Sequence, residues 1–256
     1  MKRLILSLAL VISLTFPSYA AVDFDGTDDS IISSNTDLLV KDFTIDIYLK
    51  HDAFVANTYP FAKYNATGSQ REWAMFTGPD ANNCKANVGT TSGSSFVACQ
   101  LTADCSDSLG TTAIRHFTIT RDDASCAIYI DGVSQAINDN LVDEDIPSTS
   151  EVIRIGSRGG SAGYFDGQIY SIAVWNKSLT SDEVASYVNA KSKRLALQVA
   201  SSNLVGLWEL DECSDGVSCD GLKFTDLSTT GLSGIGDNGA NNTGLTGSAE
   251  KTKTYP

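Results

Sequence analysis

The chain has 256 residues, 31 acidic against 18 basic side chains, and a formal net charge of −13. Acidity on this scale argues against nucleic acid or anionic membrane as partners, because a phosphate-binding surface needs clustered Lys and Arg. It suits cations or plain solubility, and the length suits one large β-sandwich.

Lys2 and Arg3 precede an apolar run from Leu4 to Phe16, and Ser18, Tyr19 and Ala20 supply small residues where a signal peptidase cuts. Residues 1–20 therefore read as a secretory signal peptide, with cleavage expected after Ala20. Ser13, Thr15 and Pro17 interrupt the run before it reaches the roughly 20 apolar residues of a membrane span, and residue 21 is alanine, not the cysteine of a lipoprotein. The expected product is secreted, extracellular or periplasmic, without membrane insertion. Cys84, Cys99, Cys105, Cys126, Cys213 and Cys219 all lie beyond the leader, an even count in an oxidising compartment, so disulfides are expected. Fifteen pairings are possible; spacing favours Cys213 with Cys219 around a turn, which leaves Cys84 with Cys99 and Cys105 with Cys126 as the expected pairs. Zinc is disfavoured, since there is no C-x-x-C pair and His51 and His116 lie far from the cysteines in sequence.

Val22 to Ile32 reads as two short strands around an acidic Gly turn. Phe43, Ile45, Ile47 and Leu49 alternate with Thr44, Asp46, Tyr48 and Lys50, the pattern of a half-buried strand. Tyr59 to Tyr64 and Glu72 to Thr77 are the next strands, joined by a turn over Asn65 to Ser69. Pro79 to Leu109 loses periodicity and reads as short strands and loops held by disulfides. Arg115 to Arg121 and Ala127 to Gly132 form a hairpin about Asp122 and Asp123, and Glu151 to Gly156 is another strand. Asp166-Gly167 makes a tight turn into Gln168 to Trp175, apolar on both faces as a doubly covered strand requires. Thr180 and Glu183 fit a capping box, Leu179 can staple onto Val184, and Val184, Tyr187 and Val188 share one helical face. Leu204 to Leu210 is the last strand. Residues 229–256 are rich in Gly, Ser, Thr and Asn, a composition that buries little core and reads as a loosely ordered segment or an assembly arm.

The order of these pieces resembles the laminin-G-like branch of the concanavalin A-like jelly rolls. Val22 to Ile32 is similar to that family's opening "l-d-F-D-G-x-d-D-y-v", Phe43 to Lys50 to its "F-T-i-s-a-W-v-k", and Tyr164 to Glu183 to its closing "yFdG-x-I" run and helical turn. The resemblance covers about Val22 to Asn189. It implies an all-β fold, a two-sheet antiparallel jelly-roll β-sandwich with one short helix, occupying residues 21–228. It also makes His116 a packed strand residue.

Function is then expected to be non-catalytic binding: a secreted lectin-like module recognising glycans or glycoproteins. An adhesive or structural subunit of a surface assembly, joined through its C-terminal segment to other copies, is the alternative. A glycoside hydrolase is disfavoured. Such enzymes need two carboxylates flanking a sugar bond, and in Glu209-Leu210-Asp211-Glu212-Cys213-Ser214 the final acid of an E-x-D-x-E pattern is missing. Asp25, Asp28, Asp29 and Asp166 are the candidate metal ligands, for calcium, which takes six to eight oxygens. Turn chemistry alone also selects Asp beside Gly. Tyr59, Tyr64, Trp73, Phe76 and Tyr164 are candidate sugar-stacking aromatics, although strand aromatics also build cores.

Overall fold

The computed structural model describes residues 19–34, 36–79, 84–90, 96–159, 163–189, 196–212, 219, 222–228 and 250–254. Most of residues 1–20, expected to be a leader, Cys213 and most of the C-terminal segment lie outside the described residues. The strands, in chain order, are β1 (Tyr19–Asp25), β2 (Ile31–Ile32), β3 (Phe43–His51), β4 (Thr58–Asn65), β5 (Gln70–Thr77), β6 (Lys85–Gly89), β7 (Phe96–Leu101), β8 (Arg115–Asp122), β9 (Ser125–Ile130), β10 (Val133–Ser134), β11 (Ile137–Asp139), β12 (Arg154–Ile155), β13 (Asp166–Trp175), β14 (Leu204–Trp208) and β15 (Glu250–Thr254). Among the described residues two α-helices, α1 (Cys105–Leu109) and α2 (Ser181–Asn189), and a 3-10 turn at Ser201–Asn203 join them. Only α2 is foreshadowed by the helical spacing of the sequence.

Two antiparallel sheets make the jelly-roll sandwich. One runs β10-β9-β8-β3-β13-β1-β15, with β14 also on β13; the other runs β11-β7-β6-β5-β4-β12-β2. Phe43, Ile45, Ile47 and Leu49 of β3 face Phe61, Trp73 and Met75 of the second sheet in one continuous buried core. The alternation of β3 correctly predicts which side faces the core, but not how much the other side is covered. Thr44 and Asp46 are fully buried too, because α2 and the chain leading into it lie across the outer face. Thr44 Oγ1 donates to the Lys177 carbonyl and accepts from the Leu179 amide, both at 2.8 Å.

Helix α2 starts where its capping chemistry requires. The Thr180 amide donates to Glu183 Oε2 at 2.8 Å and the Glu183 amide donates to Thr180 Oγ1 at 3.3 Å, a reciprocal capping box. Leu179, Val184 and Tyr187 join Trp175 and Leu204 in a second buried cluster, so the helix docks by the face that its spacing specifies.

The disulfides correct the pairing expected from spacing. Cys84 bonds Cys105 and Cys99 bonds Cys126. Nearness in sequence favours Cys84 with Cys99, but the sandwich places Cys99 of β7 opposite Cys126 of β9 in the facing sheet, so that bond ties the two layers together. Cys84 instead pins α1 beside the start of β6. Cys219 is also disulfide-bonded, while its expected partner Cys213 lies outside the described residues. Of the C-terminal segment, Glu250–Thr254 pairs with β1, from Asp23↔Glu250 to Tyr19↔Thr254.

Peptide mapping of the unreduced protein should recover Cys84 joined to Cys105 and Cys99 joined to Cys126. Replacing Cys99 and Cys126 together by serine should lower stability by roughly 2–4 kcal/mol in a denaturant titration. Recovery of a Cys84–Cys99 peptide would contradict the inter-sheet link. Thr180→Ala, which removes one side of the capping box, should cost about 1 kcal/mol in the same measurement.

Candidate metal-binding rim

At the end of β1 the chain turns sharply through Gly26, whose φ of +76° favours glycine. A Cβ there would also lie 2.9 Å from Asp166 Cβ. The turn is closed by its own acids. Thr27 N–H donates to Asp25 Oδ1 at 2.8 Å, and Asp25 N–H donates to Asp29 Oδ2 at 2.9 Å. One carboxylate oxygen from each of Asp25, Asp28 and Asp29 lies within 4.8 Å of the others, and this is the only such group among the described residues.

The three are not equivalent. Asp25 is exposed and Asp28 half-buried, whereas Asp29 is 1% exposed and its Oδ1 has no hydrogen-bond partner. Burial pushes the Asp29 carboxyl up to about 6; the Asp25 amide opposes this, and the charges of Asp25 and Asp28 reinforce it. A buried carboxylate oxygen without a donor is costly unless a proton or a cation completes it.

Asp166 reaches the same rim from β13, as the direct cross-strand partner of Asp25. It stands beside the three-residue group without joining it. Gly167 follows with φ of +143°, where any Cβ would run into the Lys50 carbonyl at 2.2 Å, so the close passage of β3 requires glycine. That passage brings in a residue not anticipated from the sequence. The Asp52 amide donates to the Asp166 carbonyl at 3.1 Å, and Asp166 is raised by burial and then by the charges of Asp52 and Asp25. The sequence hides this because Asp52 follows β3 far from either turn, and only the Gly167↔His51 register brings it here. His51 itself is buried, stacked on Phe54 at 4.1 Å and pushed down to about 3 by burial, so it is neutral and positioned as core.

The other candidates fall elsewhere. Trp73 is core; Tyr59, Tyr64 and Phe76 form a separate buried cluster on the outer side of the second sheet, and Tyr164 is half-buried. Arg158 lies over the Tyr59 ring and Lys85 over that of Phe76. His116 stacks on Tyr48 at 4.2 Å with Nδ1 2.9 Å from Asp46 Oδ2, a packed strand residue. Strand β14 ends at Trp208 and Leu210 has φ of +50°, so Glu209, Asp211 and Glu212 are not carried on one regular strand. Glu212 accepts from the Thr225 amide at 2.8 Å and is raised by burial.

The family model described as "Concanavalin A-like lectin/glucanases superfamily", of laminin-G type, matches residues 25–185. No curated protein matches the chain. Among solved structures, a putative carbohydrate-binding protein from Bacteroides ovatus is similar at TM-score 0.56 and 16% identity, over 86% of this chain and 58% of that one. Domain 4 of the extracellular arabinanase AbnA from Geobacillus stearothermophilus, in complex with arabinotriose, is similar at 0.51 and 15%, over 66% and 76%. The sialidase CBM40 domain of Ruminococcus gnavus, bound to α2,3-sialyllactose, is similar at 0.51 and 15%, over 66% and 98%. At these identities the likeness is one of fold.

The Asp29 carboxyl makes stability depend on pH with a defined sign. Its folded value of about 6 lies above the ordinary 3.8, so the folded protein retains a proton that the unfolded chain has released. The stabilisation is complete below about pH 4 and lost as pH rises through 6, by on the order of 2–3 kcal/mol. In chelator, wild type minus Asp29→Asn should show this slope, and equal pH profiles for the two would rule it out.

Proposed function

Because this chain belongs to the concanavalin A-like lectin/glucanase superfamily, we propose that it is an exported, non-catalytic glycan-binding module with a calcium ion at its acidic rim. The observation that carries the calcium is the fully buried Asp29, with one oxygen lacking a donor and the Asp25 and Asp28 carboxylates within 4.8 Å. Hard carboxylate oxygens on an irregular turn suit calcium better than magnesium, which demands a near-octahedral shell. In this reading Asp166, the partner of Asp25 across the ladder, is the fourth acid of the rim.

Support for glycan binding comes from the fold and from the ligands of similar structures, arabinotriose and sialyllactose. Export is supported by the leader-like start and by disulfides within the sandwich. Among the described residues no helix is long and apolar enough to cross a membrane. The displaced carboxylates after β14 and the packed His51 and His116 favour binding over hydrolysis.

One observation favours a second reading, that of an assembling subunit. Among the described residues Glu250–Thr254 forms the outermost strand at one end of its sheet, and an edge strand can pair with another chain. Size-exclusion chromatography separates the two readings: a binding module should run as a monomer.

Calcium should raise the melting temperature above that in magnesium or chelator, by an amount corresponding to about 2.7 kcal/mol at a hundredfold excess over Kd. Asp29→Asn and Asp166→Ala should each shrink that shift. A glycan array probed with and without calcium tests recognition directly. Identical melting in all three buffers would reduce these aspartates to turn formers, and an array without signal in either condition would remove the glycan.

A further inference from the structure

Lys63 is the most fully enclosed lysine among the described residues, with no side-chain exposure at all. It sits in β4 opposite Trp73 of β5, facing inward. Its Nζ lies 2.5 Å from Asp37 Oδ1 and 2.7 Å from Glu72 Oε1. Glu72 reaches it through a break in the ladder. The register passes from Lys63↔Trp73 to Tyr64↔Arg71, leaving Glu72 as the extra residue of a bulge, a device that re-aims a side chain. The Thr149 amide fixes the same Oε1 at 2.6 Å, and Glu72 is only 2% exposed.

We propose that Lys63 and Asp37 are joined by an intramolecular isopeptide bond, with Glu72 as the proton carrier for its formation. An amine, a carboxyl and a second, buried carboxyl in mutual contact are the complete set of groups that this condensation needs. With Nζ at 2.5 Å from Oδ1, the nitrogen stands about 3–3.5 Å from Cγ, the near-attack separation at which intramolecular reactions gain most of their advantage.

The chemistry balances without any co-reactant. A proton passes from the Lys63 ammonium to the Asp37 carboxylate, which neutralises both. Nζ then attacks Cγ, the Nζ–Cγ bond forms, and a Cγ–O bond breaks. Glu72 takes the second proton from Nζ and delivers it to the departing hydroxyl, so that one water leaves and Glu72 ends as it began. Burial raises the Glu72 carboxyl, only partly offset by Lys63 and Thr149, as a proton carrier requires. Burial also pushes Asp37 up, but Lys63, Ser148 and Glu72 outweigh it and hold it below its ordinary value; Lys63 is the group in direct contact with both carboxylates. Asp37 is half exposed on its other side, giving the water a way out. Condensation also removes a buried charge pair, whose desolvation is a standing cost, and leaves a neutral amide. The bond would tether the segment between β2 and β3 to the middle of β4.

Intact mass spectrometry of the exported protein, fully reduced and with its N-terminus determined, decides the matter. Wild type should be lighter than its sequence by one water, and digestion should yield one branched peptide joining the Asp37 and Lys63 segments. Asp37→Ala, at a half-exposed loop position, should have its full sequence mass. Glu72→Gln should also have full mass; loss of water in that variant would overturn the role given to Glu72. A wild-type protein at full sequence mass would overturn the bond itself.

Discussion

Everything in this fold hangs on β13, because a strand covered on both faces and paired on both edges has no freedom left. Along one edge it pairs with β3 for nearly its whole length; along the other it pairs first with β1 and then with β14. From Gly167 to Trp175 every residue is buried. Ile169, Ile172 and Val174 enter the core between the sheets, while Ala173 and Trp175 lie under α2. One end of the strand sets Asp166 against Asp25, and the other leads into the capping box. The acidic rim and the helix are therefore two ends of one rigid element.

The outer face of that sheet shows how polar residues are made part of the interior. Asp46 is fully buried beneath α2, yet both its oxygens are engaged, one 2.9 Å from His116 Nδ1 and the other accepting from Thr118 Oγ1 at 2.6 Å. His116 is held in turn between Tyr48 and Tyr187. Thr44 acts on the backbone instead, clamping the connection into the helix. Each of these groups exchanges water for a protein partner, which keeps the cost of burial small.

Much of this was legible in the sequence wherever one period ran unbroken. β3, the β8–β9 hairpin, β13 and the Thr180–Glu183 cap follow from alternation, turn residues and helical spacing. Asp25, Asp28 and Asp29 were legible as a cluster because they are neighbours in the chain. What periodicity does not contain is what lies on top of a strand or where a ladder slips. Hence Thr44 and Asp46 read as the outer side of a half-buried strand, and nothing in the strands Tyr59 to Tyr64 and Glu72 to Thr77 marks Lys63 as enclosed or Glu72 as the residue of a bulge. Cysteine partners were misread for the same reason: sequence distance ranks neighbours along the chain, whereas Cys99 and Cys126 meet across the sandwich.

Two fully buried aspartates, Asp46 in β3 and Asp29 in the turn after β1, are satisfied to different degrees. Asp46 is surrounded by donors, and with both oxygens occupied it is complete without a ligand. Asp29 has one oxygen occupied by the Asp25 amide and the other by nothing, while its nearest ionisable companions, Asp25 and Asp28, carry charge of its own sign. Protein donors could have been supplied at a turn as readily as in a strand, since backbone N–H groups are plentiful there. For a buried acid beside other acids, a proton or a cation supplies the missing partner and also eases the like-charge repulsion. The rise of Asp29 to about 6 is the proton's share of that demand. A divalent ion would satisfy the same oxygen while also relieving the repulsion from its neighbours, which a proton on one group leaves in place between Asp25 and Asp28.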